Sequence, residues 1–222
     1  MDKRIYKHIE SLIKRHSKLE ACKNGIISAY EAMEDAYSSE HKLLIAGNGG
    51  SAADAEHIVG ELMKKFKINR PVTDEMRKKL MEAHPEKGTL LADCLETGLP
   101  AIALVAHEAL STAYLNDVDG QGVFAQQLFG YGRAGDVFLG ISTSGNSKNI
   151  MNAAVVARAM GIKIIGLTGA DGGELGVFAD VVVRAPETET HLIQELHLPI
   201  YHCWCMMLED WFFGEGGMSL YA

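Results

Sequence analysis

The sequence of 222 residues lacks several features that would place it in a special class of protein. Its four cysteines, Cys22, Cys94, Cys203 and Cys205, form no Cys-x-x-Cys pair, so we expect buried free thiols rather than disulfides or a cysteine metal site. No apolar run approaches the roughly 20 residues that span a bilayer, and the N-terminus carries no apolar signal-peptide segment. We therefore expect a cytoplasmic protein that makes no membrane contact.

The sequence also has no excess of basic over acidic residues. The 21 Lys and Arg against 29 Asp and Glu give a net charge of -8, which would repel a nucleic-acid backbone. Nucleic-acid binding through a basic surface is excluded, whereas a small anion held by backbone amides is not. Hydrophobic residues make up 47% and charged residues 23%, as in an ordinary globular protein.

From residue 42 onward, short apolar runs alternate with helix-like stretches. The runs lie at residues 42–46, 100–104, 136–141, 163–167 and 180–184. Strands that recur between helices, the central ones apolar throughout, predict an α/β fold with a mostly parallel sheet covered by helices on both faces. We expect one domain over residues 1–222, with an N-terminal helical segment at 1–38 and a C-terminal helix at 190–212.

Residues 73–97 stand apart because they are polar and helix-prone with few apolar anchors. They predict an inserted helical flap between the first helix of the α/β core and the second strand. Two interpretations stay open, a surface decoration and a substrate lid, since long connections are often functional.

Two Gly/Ser-rich loops each follow an apolar strand and precede a helix. We name Asn48–Ser51 the first loop and Ser142–Ser147 the second loop. Backbone amides at a helix start, the helix dipole and Ser or Thr hydroxyls together bind oxyanions. Because both loops lie at the carboxyl ends of strands, the pattern predicts a phosphate-binding site there.

The first loop also fits a dinucleotide-binding fingerprint, G-x-G-x-x-A, at residues 47–52. That fingerprint requires a second strand that ends in Asp or Glu about 20 residues later. Residues 63–70 are basic and contain no apolar strand, so the nicotinamide-binding interpretation is the weaker one.

His57 and Glu61 lie four residues apart and share one helix face. An imidazole and a carboxylate at this spacing suit a metal ion such as zinc or an acid/base pair, although a solvated surface pair is more frequent. The last helix adds Gln194, His197 and His202 near the same end of the sheet. For a histidine on an apolar helix, a core position is the default interpretation.

Together these residues resemble the phosphoheptose (sedoheptulose 7-phosphate) isomerases of the sugar isomerase, or SIS, fold. The resemblance covers nearly the whole chain apart from the insertion. The stretches that carry it are AGNGGSAADAEHIVGEL at 46–62, GDVFLGISTSGNSKNI at 135–150, GLTGADGG at 166–173 and IQELHLPIYHC at 193–203.

The resemblance implies a flavodoxin-like sheet in a homo-oligomer, usually a tetramer, with active sites near subunit interfaces. It implies conversion of sedoheptulose 7-phosphate to D-glycero-D-manno-heptose 7-phosphate through an enediol, for lipopolysaccharide or capsule heptose biosynthesis. The implied substrate-binding residues are Asn48, Gly49, Gly50, Ser51, Asn116, Asp117, Ser142, Thr143, Ser144, Ser147 and Gln194. The implied ligands of one zinc ion per subunit are His57, Glu61, Gln194 and His202, and Glu61 and His202 are also the implied proton-transfer pair.

The spacing of the implied ligands sets one constraint. Gln194 and His202 lie about 12 Å apart along a continuous helix, so both must reach inward, or the helix must begin near Gln194. His197 is the replacement ligand to consider.

Two departures from the family affect the expected substrate. The 73–97 insertion is absent from the best-known members, and His191 stands where they tend to carry Asp. An isomerase for another sugar phosphate therefore stays open. A second alternative is a non-catalytic relative that associates with the bacterial replication initiator. That relative lacks the residues matching Glu61 and His202, so their presence here favours an enzyme.

Overall fold

Five parallel strands form one sheet in the computed structural model, which describes residues 2–216. Met1 and residues 217–222, part of the predicted 1–222 domain, lie outside the described residues. The strands are β1 (Leu43–Ala46), β2 (Ala101–Ala103), β3 (Val137–Ile141), β4 (Lys163–Thr168) and β5 (Val181–Arg184). Their order is β2-β1-β3-β4-β5, and every neighbouring pair is parallel. The predicted flavodoxin-like α/β fold is confirmed.

Helices connect and cover these strands. Their bounds are α1 (Lys3–Arg15), α2 (Lys23–Ser38), α3 (Gly50–Met63), α4 (Asp74–Ala83), α5 (Pro85–Cys94), α6 (Glu108–Asp117), α7 (Val123–Tyr131), α8 (Lys148–Ala159), α9 (Leu175–Phe178) and α10 (Thr190–Phe213). No helix within residues 2–216 is long and apolar enough to cross a membrane. All four cysteines are free; Cys94 is exposed, against the expectation that the thiols are buried, and the other three are buried.

Side chains that alternate along the strands build a separate apolar core on each face of the sheet. Leu43 and Ile45 of β1 pack with α1, α2, α3 and α10, whereas Leu44 and Ala46 pack with α7, α8 and α9. Successive strand residues point to opposite faces, so a strand buried on both faces needs an unbroken apolar run. This is why the central strands read as continuous apolar stretches.

The two predicted loops meet at the point where the strand order reverses. The chain runs from β1 outward to β2 on one side and from β3 outward to β4 and β5 on the other. β1 and β3 are neighbours, with Ala46 paired to Gly140 near their carboxyl ends. In open α/β sheets, ligands bind in the crevice at such a switch point. The topology therefore places the first and second loops on either side of one crevice.

A buried ion pair fixes α3 against α10. Arg70 and Glu209 are 1% exposed, and the guanidinium donates to Glu209 Oε1 at 2.8 Å. Arg70 also donates to the carbonyls of Leu62 and Glu61, at 2.9 and 3.1 Å. These are last-turn carbonyls of α3, which lack partners within the helix. The pair thus holds the end of α3 that carries Glu61.

The 73–97 stretch folds as the helix pair α4 and α5, with Gly88 packed so closely on α4 that a Cβ would lie 1.9 Å from the carbonyl oxygen of Leu80. The pair joins the body through an antiparallel bridge between Pro71 and Glu96. A cavity of about 420 Å³ at its base contains none of the predicted site residues.

Candidate active site

The first loop turns directly from β1 into α3. Gly49 has a φ of +56°, a left-handed conformation that favours glycine. A Cβ on Gly50 would lie 2.6 Å from Gln194 Nε2, so glycine lets Gln194 approach the loop. The Gly50 amide has no acceptor among residues 2–216. The loop therefore presents a free donor at the positive end of a helix.

The second loop packs against the turn that follows β4. A Cβ on Gly145 would lie 1.8 Å from the Gly172 carbonyl oxygen, and the Leu175 amide donates to the Gly145 carbonyl at 2.9 Å. The hydroxyls of Ser142 and Ser147 lie 2.9 Å apart. Close packing of this kind orients the loop hydroxyls before any ligand binds.

The two loops are joined by a pair of asparagines. Asn48 Nδ2 donates to Asn149 Oδ1 at 2.9 Å, and Asn149 Nδ2 donates to Asn48 Oδ1 at 2.8 Å. No motif or spacing in the sequence pointed to Asn149 as a site residue. Its only signal was its place in the first turn of the helix that follows the second loop.

A cavity of about 340 Å³ lies between the loops, a volume typical of small-molecule sites. Its lining residues are Asn48, Gly49, Gly50, Ser51, Ile141, Ser142, Thr143, Ser147, Thr190 and Gln194. None of them carries a charge, so an anion here would be held by amides, hydroxyls and two helix N-termini. Ser144, the remaining predicted loop residue, accepts from the Asn146 amide at 3.2 Å and is not among the lining residues.

His57 and Glu61, both on α3, come together with His202 of α10. His57 Nε2 lies 3.3 Å from Glu61 Oε1 and 3.4 Å from His202 Nε2. The Glu61 side chain is 14% exposed, and its Oε2 lies 3.1 Å from the Lys64 ammonium. Burial and the neighbouring His57 lower the pKa of His202, which favours the neutral imidazole near pH 7.

A hydrogen-bonded pair, Tyr201 and Asp54, approaches His57 at its second ring nitrogen, Nδ1. The Tyr201 hydroxyl donates to Asp54 Oδ1 at 3.2 Å and lies 3.0 Å from His57 Nδ1. Burial raises the pKa of Asp54, and the hydrogen bond from Tyr201 opposes that rise. Neither residue was singled out from the sequence, because a tyrosine on an apolar helix looks like an ordinary core residue.

Gln194 lies apart from His202. α10 is continuous from Thr190 to Phe213, so the helix does not begin near Gln194. Gln194 lines the cavity between the loops, whereas His202 lines a separate cavity of about 640 Å³ between α1 and α10. His197 is fully buried with its Nε2 3.2 Å from the Thr168 carbonyl oxygen, so it is a core histidine and the idea of it as a replacement ligand is wrong.

The predicted substrate contacts Asn116 and Asp117 lie at the end of α6. Their side chains hydrogen-bond to each other at 2.8 Å and are exposed, and neither lines the cavity between the loops. No residue of α6 is buried, and Leu115 is 65% exposed.

The distances between donor atoms show whether these side chains fit a zinc ion. Donor atoms at the corners of a tetrahedron around an ion bound at about 2.0–2.1 Å lie about 3.3 Å apart, and both distances from His57 Nε2 match this spacing. Within residues 2–216, however, no group of three or more His, Cys, Asp and Glu side chains is assembled to hold a metal ion. The donors around His57 thus have the chemistry and pairwise spacing for zinc without a completed ligand set.

Comparison with known proteins agrees with this site. The SIS domain family matches residues 6–88 and 78–169. The phosphoheptose isomerase of Sulfurimonas denitrificans is 41% identical over 81% of this chain and 79% of its own length. That of Geotalea daltonii is 37% identical over 95% of this chain and 99% of its own.

The chain belongs to the phosphoheptose isomerase family. The resemblance read from the sequence is confirmed. Among solved structures, a phosphoheptose isomerase from Francisella tularensis superposes with a TM-score of 0.73 at 31% identity and covers 93% of this chain and 96% of that one. The structural similarity thus extends over nearly the whole fold, including the strands that carry both loops.

Proposed function

We propose that this protein isomerises sedoheptulose 7-phosphate to D-glycero-D-manno-heptose 7-phosphate, the aldose–ketose step of heptose biosynthesis. One observation carries the proposal: Glu61 Oε1 and His202 Nε2 both approach the same imidazole nitrogen of His57 in a family of phosphoheptose isomerases. A protein that only binds a phosphosugar has no need of a carboxylate and two imidazoles at this spacing.

The loops supply binding. The phosphate group fits between the first and second loops, where two helices begin with the amides of Gly50, Lys148 and Asn149, which have no acceptor among residues 2–216. Hydroxyls of Ser142, Ser147 and their neighbours add donors. Because no lysine or arginine of the described residues 2–216 lines this cavity, binding depends on the fixed shape of the backbone.

Glu61 and His202 supply proton transfer. Isomerisation removes a proton from one carbon and returns it to the next through an enediol, which requires a carboxylate or imidazole within reach. Glu61 takes and returns the carbon-bound proton, and the neutral His202 exchanges a proton with the sugar oxygen. The two oxygens of Glu61 face different partners, His57 and Lys64, so one can contact a metal while the other acts as the base.

We propose that His57, Glu61 and His202 hold one zinc ion per subunit. Gln194, the fourth ligand implied by the resemblance, lines the cavity between the loops and would have to reach out of it to join them. When bound, the ion would polarise the carbonyl and stabilise the enediolate. Removing the metal with a chelator should abolish turnover, and added zinc should restore it. Full turnover in metal-free protein would contradict the zinc proposal.

We propose a homo-oligomer, a tetramer by family resemblance, in the cytoplasm. The exposed apolar side chains of α6, with Asn116 and Asp117 at its end, support an interface that completes the site from a second copy. The free, exposed thiol of Cys94 fits a reducing compartment.

The test is a panel of ketose and aldose phosphates in deuterated water. Sedoheptulose 7-phosphate should be converted and should exchange a C1 proton, and its aldose product the C2 proton, faster than any other sugar in the panel. Exchange with a different sugar alone would replace the heptose assignment. No exchange with any sugar would contradict isomerase function and favour the non-catalytic alternative.

A further inference from the structure

Three side chains form a line of hydrogen bonds that ends on His57. Asp54 lies one turn before His57 on α3, and Tyr201 comes from α10. The Tyr201 hydroxyl lies 3.2 Å from Asp54 Oδ1 and 3.0 Å from His57 Nδ1. Both distances suit hydrogen bonds, so one hydroxyl bridges the carboxylate and the imidazole.

When Asp54 is ionised, one arrangement of protons makes hydrogen bonds of both contacts of the Tyr201 hydroxyl. An ionised carboxylate can only accept, so the single hydroxyl proton of Tyr201 points to Asp54. The Tyr201 oxygen then accepts from His57 Nδ1–H. A neutral imidazole carries one N–H, which leaves the Nε2 lone pair free.

The free nitrogen faces the proposed reaction centre. His57 Nε2 is the atom that lies 3.3 Å from Glu61 Oε1 and 3.4 Å from His202 Nε2. A free lone pair at that point can bind a cation or accept a proton, whereas an N–H there would instead donate to Glu61 Oε1.

Folding stability does not explain why this position carries an aspartate. Its Oδ2 is buried and has no hydrogen-bond partner among residues 2–216, and an unsatisfied buried polar atom costs about 1–3 kcal/mol. A carboxylate kept at such a cost is typical of residues that orient a neighbour in a functional site.

We propose that Tyr201 and Asp54 are positioning residues that hold His57 as the Nδ1–H tautomer, with Nε2 free toward Glu61 and His202. This inference rests on the proposed function, in which that nitrogen serves the reaction centre. The Tyr201 ring itself is 1% exposed and packs in the core, so phenylalanine keeps the packing and removes only the hydroxyl.

The test reads the tautomer directly by NMR of the full-length, chelator-treated protein with ¹⁵N-labelled histidine, at about pH 8, above the ordinary imidazole pKa of about 6.5. In the wild type, His57 should carry its proton on Nδ1. Tyr201→Phe should shift the tautomer ratio toward Nε2–H by about fivefold, as expected for the loss of a hydrogen bond of about 1 kcal/mol. Asp54→Ala should invert the ratio, because the freed Tyr201 proton then points to Nδ1.

The matched control is Tyr37→Phe, which removes a buried hydroxyl that donates to the Pro100 carbonyl at 3.2 Å, away from His57. It should leave the tautomer unchanged. Zinc titration of the same proteins should show about tenfold weaker binding in Tyr201→Phe and none of this loss in Tyr37→Phe.

The outcomes separate this inference from the proposed function. A wild-type His57 protonated on Nε2, or an unchanged ratio in both Tyr201→Phe and Asp54→Ala, overturns the inference even if turnover is normal. A wild type that shows the Nδ1–H tautomer and both shifts supports it even if no sugar is isomerised.

Discussion

Asn48 and Asn149 exchange two side-chain hydrogen bonds, at 2.9 and 2.8 Å, across the crevice between β1 and β3. Asn48 belongs to the first loop, and Asn149 lies in the first turn of α8. Each asparagine satisfies the other's amide, so the relative position of the two loops is fixed by a contact 101 residues apart in sequence. The pair therefore sets the width of the cavity in which we expect the phosphate.

Replacing Asn149 with alanine should loosen this cavity. Two neutral hydrogen bonds at an exposed site contribute about 1.4 kcal/mol together, or about tenfold in binding. We expect KM for the phosphosugar to rise about tenfold and kcat to stay within about twofold, in steady-state kinetics. Asn152→Ala is the control, since Asn152 is another asparagine on α8 but bonds to the Gln121 carbonyl. Equal effects of the two substitutions would refute a role for the pair.

Gly145, the glycine of the second loop, should tolerate substitution poorly. It has a φ of +67°, and a Cβ would lie 1.8 Å from the backbone oxygen of Gly172. We expect Gly145→Ala to lower the free energy of unfolding by at least about 2 kcal/mol, measured by denaturant titration.

The matched control for that substitution is Gly60→Ala in α3. A Cβ at Gly60 meets nothing within 4 Å, and alanine favours a helix over glycine by about 0.5–1 kcal/mol. Gly60→Ala should therefore stabilise the protein slightly. If Gly145→Ala left the free energy of unfolding unchanged, the close packing of Gly145 against Gly172 would not hold the second loop.

Acid should destabilise the fold through His197. Burial lowers the pKa of His197 from 6.5 to about 4, so its neutral form is favoured in the folded protein. This contribution is complete above the unfolded pKa of 6.5 and is lost as the pH falls toward 4. We expect the wild type to lose up to about 3 kcal/mol over this range relative to His197→Gln, measured by urea titration at each pH.

The control for the pH experiment is His191→Gln, because the side chain of His191 is 69% exposed. That variant should follow the wild-type pH dependence. A His197→Gln variant that loses stability as steeply as the wild type between pH 6.5 and 4 would show that another group is responsible.

Much of the fold could be predicted because strand burial leaves a direct sequence signal. The runs at 42–46 and 136–141 are apolar at every core position, since both faces of β1 and β3 are covered. The two loops could be predicted as well, because glycines and hydroxyl-bearing residues come directly after those runs. His57 and Glu61 could be paired since four residues bring side chains to the same helix face.

The rest depended on contacts that sequence spacing does not encode. Asn149 and Tyr201 act across distances of 101 and 144 residues, on Asn48 and His57 respectively. The separation of Gln194 from His202 follows from a helix that begins at Thr190. His197 is buried because its helix face turns to the sheet, which periodicity alone did not distinguish from a ligand position.

Glu61 is the residue that we expect to transfer the carbon-bound proton. The most direct measurement compares Glu61→Gln with the wild type and with Glu56→Gln, an exposed glutamate on the same helix, for turnover of sedoheptulose 7-phosphate and for its binding by calorimetry. We expect Glu61→Gln to lose about 100- to 10,000-fold in turnover while the dissociation constant stays within about threefold of the wild type, as loop-based binding requires. Near-normal turnover in Glu61→Gln, or an equal loss in Glu56→Gln, would show that Glu61 is not the base.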